Sequence, residues 1–211
     1  MIKAAIFDLD GTILDSMGAW TQLDINFLLA HGKAARPDVH EAVKALTLRQ
    51  SAQYFQLEYG VEATEDEIID EIKDMIRRAY AEEIELMPGA LEALELFENR
   101  KIPMAVATAT DMEMAVSALV RLGIYPFFKK VFTCDMVGKS KTEPDVFLAA
   151  AEFLNVSPSE CLVFEDSYFA ADTAFKAGFK VAFACGEEDA PDFVDLSMHD
   201  FAELESYINE Q

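Results

Sequence analysis

Hydrophobic residues fall along this chain in two regimes. Short, mainly apolar runs at 4–7, 102–107, 130–133, 161–164 and 180–184 alternate with segments whose apolar residues recur every three or four positions. The runs predict strands, and their lack of polar alternation predicts burial on both faces. The periodic segments predict helices. Leu91, Leu94 and Phe97 lie on one stripe, with Pro88 suited to the first turn. Further helices are expected over 112–122 before Gly123, over 144–154 starting at Pro144, over 170–177 before Gly178, and over 201–208. Strands separated by helices imply an α/β chain with a parallel, right-handed, doubly wound sheet.

Residues 14–87 break this alternation. They carry no convincing strand and several helical patterns. Trp20, Leu23, Phe27 and Leu28 recur at helical spacing before His31-Gly32. A second segment, 39–59, places Val43, Leu46, Tyr54, Phe55 and Leu57 around a polar stretch at 47–50. Thr64 and Glu67 stand in capping-box register ahead of a stripe of Ile68, Ile72, Met75, Ile76 and Ala79. The expectation is a helical insert over 15–85, with the sheet built from 1–14 and 86–211.

Composition narrows the partners. Against 39 acidic residues stand 17 Lys and Arg, a formal net charge of -22. Nucleic acid and anionic membranes are poor partners for such a chain. Cys134, Cys161 and Cys185 lack metal-type spacing and lie in or beside apolar runs, so reduced thiols are expected. No signal-peptide pattern and no apolar run of 18 residues occurs. A cytoplasmic chain, monomeric by default, is the resulting expectation.

The chemistry concentrates where apolar runs end. The first run leads into Asp8-Leu9-Asp10-Gly11-Thr12. Two aspartates spaced by two along an extended chain point to the same side, with alpha carbons about 6.5 Å apart. Ligands bind at the carboxyl ends of such strands. Gly11 permits a sharp turn, and Thr12 offers a hydroxyl or a backbone donor; an acidic turn capping a helix is the plainer alternative. Thr108 ends the second run, placed either to donate to an oxyanion or to cap the helix beginning near Asp111. Lys139 and Lys141 precede Pro144, and Glu165-Asp166-Ser167 follow the fourth run, where buried acids need a cation or hydrogen-bond partners.

In order and spacing these four segments resemble the four motifs of the haloacid dehalogenase superfamily. Asp8-Leu9-Asp10-Gly11-Thr12 is similar to motif one, Thr108 to motif two, Lys141 to motif three and Glu165-Asp166 to motif four. The insert is similar to the helical cap of the phosphoglycolate phosphatase and beta-phosphoglucomutase branch. The resemblance implies a Rossmann-like three-layer core with a mobile cap hinged near 14–17 and 84–88. It further implies Asp8 as a nucleophile forming an aspartyl-phosphate and Asp10 as general acid and base. Mg2+ would be held by Asp8, the Asp10 carbonyl, Asp166 and Glu165, a hard ion on oxygen ligands. Gly11, Thr12, Thr108, Ala109 and Lys141 would face the phosphate. The chain departs from the pattern at Thr142, where proline commonly follows the motif-three lysine, and at Ala170, where motif four often has glycine.

An aspartate at position 10 favours phosphate esters over dehalogenation, so the implied activity is hydrolysis of a small phosphorylated metabolite such as a sugar phosphate. A phosphohexomutase is the nearest competitor, disfavoured by Thr12 and by the absence of a histidine near Trp20. A non-catalytic binding protein of the same fold is the alternative of another class. In the insert, Arg49 either meets a second anionic or hydroxyl-rich group of the substrate or pairs with neighbouring acids. Trp20 either packs on substrate or belongs to the insert's own core.

Overall fold

The computed structural model describes residues 1–43, 46–184, 190–198, 201 and 204–210. The chain divides into two compact units, one formed by Met1–Asp15 with Glu85–Gln211 and the other by Ser16–Ile84.

The first unit is a Rossmann-like α/β fold. Among the described residues its strands are β1 (Ala4–Phe7), β2 (Leu14–Asp15), β3 (Glu85–Leu86), β4 (Met104–Thr108), β5 (Phe128–Thr133), β6 (Cys161–Glu165), β7 (Lys180–Ala184) and β8 (Leu196–Met198). Six of them form a parallel sheet in the order β5-β4-β1-β6-β7-β8. The chain leaves β1 on one side for β4 and β5, then returns on the other with β6. That reversal opens a crevice at the carboxyl end of β1, where ligands of open α/β sheets bind.

Burial on both faces explains the unbroken apolar runs. On one face Phe7 stacks on Phe164 at 4.2 Å and meets the edges of Phe97 and Phe128 at 5.8 and 6.0 Å. On the other, Ala4, Ile6, Ala105, Ala107 and Val163 pack under Val146, Phe147, Ala150, Ala170 and Ala174. Small strand residues let the helices approach closely. Ala170, the departure from motif four, is fully buried here, its methyl part of this core.

Two details of the strands differ from the sequence expectation. The stretch 14–87 does contain strand, because β2 and β3 pair antiparallel, Leu14 with Leu86 and Asp15 with Glu85. A sixth parallel strand, β8, extends the sheet beyond β7.

The second unit holds α1 (Met17–Ala30), α2 (Val39–Val43), α3 (Leu48–Tyr59) and α4 (Glu65–Arg78), the last continuing as a π-helical turn over Ala79–Glu83. The segment 39–59 is therefore not one helix. Thr47 opens α3 by exchanging hydrogen bonds with Gln50, its N–H donating to Gln50 Oε1 at 2.9 Å. Thr64 and Glu67 do the same for α4. Phe27, Phe55, Ile68 and Ile72 are buried between these helices, with Phe27 and Phe55 rings 5.0 Å apart. Trp20 lines a small pocket with Leu23, Ile76 and Tyr80 inside this unit.

In the first unit the helices are α5 (Ala90–Asn99), α6 (Met112–Arg121), α7 (Cys134–Val137), α8 (Asp145–Phe153), α9 (Tyr168–Lys176) and α10 (Leu204–Glu210). Pro88 precedes α5 rather than opening its first turn, since Gly89 takes the cap position at φ 75°. Cys134 and Cys161 are buried free thiols, and Cys185 lies outside the described residues. Among the described residues no helix is long and apolar enough to cross a membrane.

Candidate active site

β1 delivers Asp8 directly from the sheet into the crevice. The backbone then winds around one carbonyl, Leu9 O, which accepts the amides of Thr12, Ile13 and Leu14 at 3.2, 2.9 and 2.8 Å. Gly11 sits in this turn at φ +75°, a conformation costly to residues with a side chain. A Cβ there would lie 2.1 Å from Asp166 Oδ2. The glycine is thus required twice, for the turn and for the close approach of Asp166. Gly11 N–H donates to Leu14 O at 3.0 Å, and Thr12 N–H to Leu9 O, so the Thr12 backbone donor that the sequence offered to a ligand is engaged within the turn. The Thr12 hydroxyl is buried without a hydrogen-bond partner.

Lys141 reaches the same point from the loop between α7 and α8. Its ammonium donates to Asp8 Oδ1 and, at 2.5 Å, to Glu165 Oε1. All three groups are nearly withdrawn from solvent, at 6%, 5% and 0% exposure for Lys141, Asp8 and Glu165. Burial opposes the lysine's charge, but Asp8 and Glu165 more than offset it and hold its pKa above the ordinary range. Burial also pushes Asp8 upward, with Lys141 opposing and Glu165 and Asp10 adding to the rise. Glu165 is raised by burial as well, although Lys141 and the Ser167 N–H, 3.2 Å from its Oε2, favour its charge.

Asp166 completes the cluster. Each of Asp8, Glu165 and Asp166 offers a carboxylate oxygen, and these oxygens lie within 4.8 Å of one another. Burial, then the neighbouring Asp8 charge, pushes Asp166 up to about 7. One lysine cannot neutralise three crowded carboxylates. The surplus negative charge, an all-oxygen donor set and the tight seat of Asp166 against Gly11 fit a hard divalent cation.

β4 contributes the remaining groups. Thr108 is fully buried, and its Oγ1 accepts the Thr110 N–H at 3.0 Å. It does not cap α6, a role taken by Asp111, whose side chain accepts the Glu113 N–H at 2.9 Å. Ala109 is exposed at the strand end. Thr110, which the sequence reading passed over, donates its hydroxyl to Asp10 Oδ2. Its position two residues after Thr108, as Asp10 stands two residues after Asp8, is the signal that points to it. Arg49 lies in the helical unit, exposed, its guanidinium donating to Glu65 at 2.7 Å and Asp66 at 2.8 Å.

Known proteins resemble this chain along most of its length. Residues 2–178 match the family model of the haloacid dehalogenase-like hydrolases. A phosphorylated carbohydrates phosphatase of Thermotoga maritima is 27% identical over 179 residues, covering 85% of this chain and 83% of the relative. The fructose-1-phosphate phosphatase of Escherichia coli is 29% identical over 185 residues, covering 82% of this chain and 91% of the relative. Among solved structures, a Thermotoga maritima protein provisionally named a beta-phosphoglucomutase superposes with a TM-score of 0.89 at 23% identity, covering 99% of both chains.

Proposed function

Because this chain belongs to the haloacid dehalogenase-like hydrolases, we propose that it is a Mg2+-dependent phosphatase of small sugar phosphates working through an aspartyl-phosphate on Asp8. The observation that carries the reading is the Lys141 ammonium held between Asp8 and Glu165, with Asp166 closing an acidic cluster. A phosphate monoester dianion approaching these carboxylates is repelled unless positive charge offsets both. Lys141 supplies part of that charge at the nucleophile itself. The cluster of Asp8, Glu165 and Asp166, with the Asp10 carbonyl, would hold Mg2+, which supplies the remainder.

In the first step Asp8 attacks phosphorus and the ester oxygen departs, taking a proton from Asp10. In the second, Asp10 takes a proton from water as that water attacks the aspartyl-phosphate, releasing inorganic phosphate and restoring Asp8. Splitting the displacement in this way is the use of a covalent nucleophile. Asp10 alternates as acid and base. Thr108 donates its hydroxyl to a phosphoryl oxygen, and the exposed backbone at Ala109 lies at the same strand end. Gly11 and Thr12 shape the turn that aims the two aspartates. The helical unit Ser16–Ile84 acts as a cap that excludes water and selects the substrate.

The sugar-phosphate class is supported by the names of the two phosphatase relatives. It is tested by Mg2+-dependent phosphate release across sugar phosphates, phosphoglycolate, nucleotides and p-nitrophenyl phosphate. Release from sugar phosphates that is lost in Asp8→Asn is the expected result. Interconversion of hexose phosphates on addition of a bisphosphate primer, without net release, would instead establish a mutase. Activity that survives Asp8→Asn would overturn the nucleophile assignment.

A further inference from the structure

β1 and β4 are parallel neighbours in register, with Phe7 opposite Val106, so their carboxyl ends emerge side by side. Two residues past the last residue of β4 stands Thr110, and its hydroxyl and N–H point to two different members of the site. The hydroxyl donates to Asp10 Oδ2, and the N–H donates to Thr108 Oγ1 at 3.0 Å. Asp111 caps α6, so this threonine is not spent on starting the helix.

We propose that Thr110 is a positioning residue that aims the Asp10 carboxyl at the leaving-group oxygen and leaves the Thr108 hydroxyl proton for the phosphoryl group. The proposal rests on the reading of Asp10 as general acid. With the threonine hydroxyl donating to Oδ2, the proton that Asp10 passes on sits on Oδ1, and this hydrogen bond contributes to setting the plane of the carboxyl and its reactive edge. With the Thr110 amide occupying a lone pair of Thr108 Oγ1, the hydrogen of Thr108 is turned away from that amide. Such a link joins the acid that protonates the leaving group to the donor that grips the transferring group.

The consequence is a dependence on the leaving group. An alkoxide from a sugar phosphate must be protonated as it departs, whereas p-nitrophenolate leaves as an anion. The kcat/KM value covers the steps through departure of the alcohol, so it isolates this event. The experiment measures kcat/KM with Mg2+ for the best sugar phosphate of the panel and for p-nitrophenyl phosphate, in the parent protein, Thr110→Val, Thr110→Ser and Asp10→Asn. Misplacing a catalytic group costs up to about 100-fold, so Thr110→Val is expected to lower the sugar-to-aryl ratio by about tenfold or more, chiefly through kcat, and Thr110→Ser to restore it to within about threefold. Thr110→Ala replaces the valine variant if thermal melts show that the latter does not fold. Equal losses on both substrates, or no rescue by serine in a folded variant, would overturn the proposal. Asp10→Asn separates the two levels. If it lowers the ratio and Thr110→Val does not, the Thr110 assignment alone fails; if it leaves the ratio unchanged, the acid role of Asp10 fails and the Thr110 assignment falls with it.

Discussion

Lys141→Met removes the ammonium hydrogen-bonded to both Asp8 and Glu165 while keeping an unbranched chain of similar length. In the absence of divalent cations the variant leaves both carboxylates buried, at 5% and 0% exposure, without that partner. Breaking a buried ion pair by removing one side costs about 3–5 kcal/mol, because the surviving charge stays desolvated. The carboxylates escape this cost only by binding protons, at 1.36 kcal/mol for each pH unit above their ordinary values near 3.9 and 4.3. At pH 8 that escape costs about 10 kcal/mol for the pair, so the loss is set by burial and reaches about 3–5 kcal/mol. At pH 5 the protons cost about 2.5 kcal/mol together, and the loss cannot exceed that value. The sign follows from the direction of the shifts. Burial already raises both folded-state pKa values with Lys141 opposing, and without Lys141 they rise further. A group raised in the folded state contributes fully below its unfolded pKa and loses that contribution as pH climbs through the folded value. Urea denaturation in EDTA at pH 5 and pH 8 measures both points. A loss under about 1 kcal/mol at pH 8, or the same loss at both pH values, would refute the view that Lys141 offsets these two buried charges.

Three further outcomes are expected. Gly11→Ala places a Cβ 2.1 Å from Asp166 Oδ2 at φ +75°, so it should displace Asp166 and cost about 1–3 kcal/mol of stability; Mg2+ titration by calorimetry is expected to show weakened binding, and unchanged affinity would contradict this role for the turn. In EDTA the melting temperature should fall between pH 6 and pH 8, because Asp166 is raised to about 7 and its contribution is lost as pH passes through that value. Mg2+ at a hundredfold excess over Kd should add about 2.7 kcal/mol, or about 5–10 °C, with protons released near pH 7, and a melt at pH 8 indifferent to Mg2+ would count against the acidic cluster as a cation site.

Much of the framework was readable from the chain because the reacting groups lie at the ends of apolar runs. β1, β4 and β6 are buried on both faces, so their uninterrupted hydrophobicity marks them, and the first polar residue after each marks the crevice. Lys141 was legible only through its resemblance to a motif, since nothing local distinguishes it from Lys139; burial between Asp8 and Glu165 makes the difference, and that is a tertiary fact. The pairing of Leu14 with Leu86 joins two residues to two others across the whole helical insert, so it leaves no local periodicity. β8 is three residues long, too short for alternation to register. The opening of α3 at Thr47 was visible in principle, because Thr47 and Gln50 stand in capping-box register within the stretch read only as polar. Arg49 illustrates the opposite limit: its charge suggested a ligand contact or an ion pair, and the fold supplies Glu65 and Asp66 one helix away.

The central claim is that phosphate passes through Asp8. Its most direct test is the stereochemical course at phosphorus, measured with a sugar phosphate made chiral by oxygen isotopes and hydrolysed in isotopically labelled water. Two successive in-line displacements, first by Asp8 and then by water, predict net retention of configuration. Net inversion would mean that water attacks the substrate directly, and the aspartyl-phosphate account would be wrong.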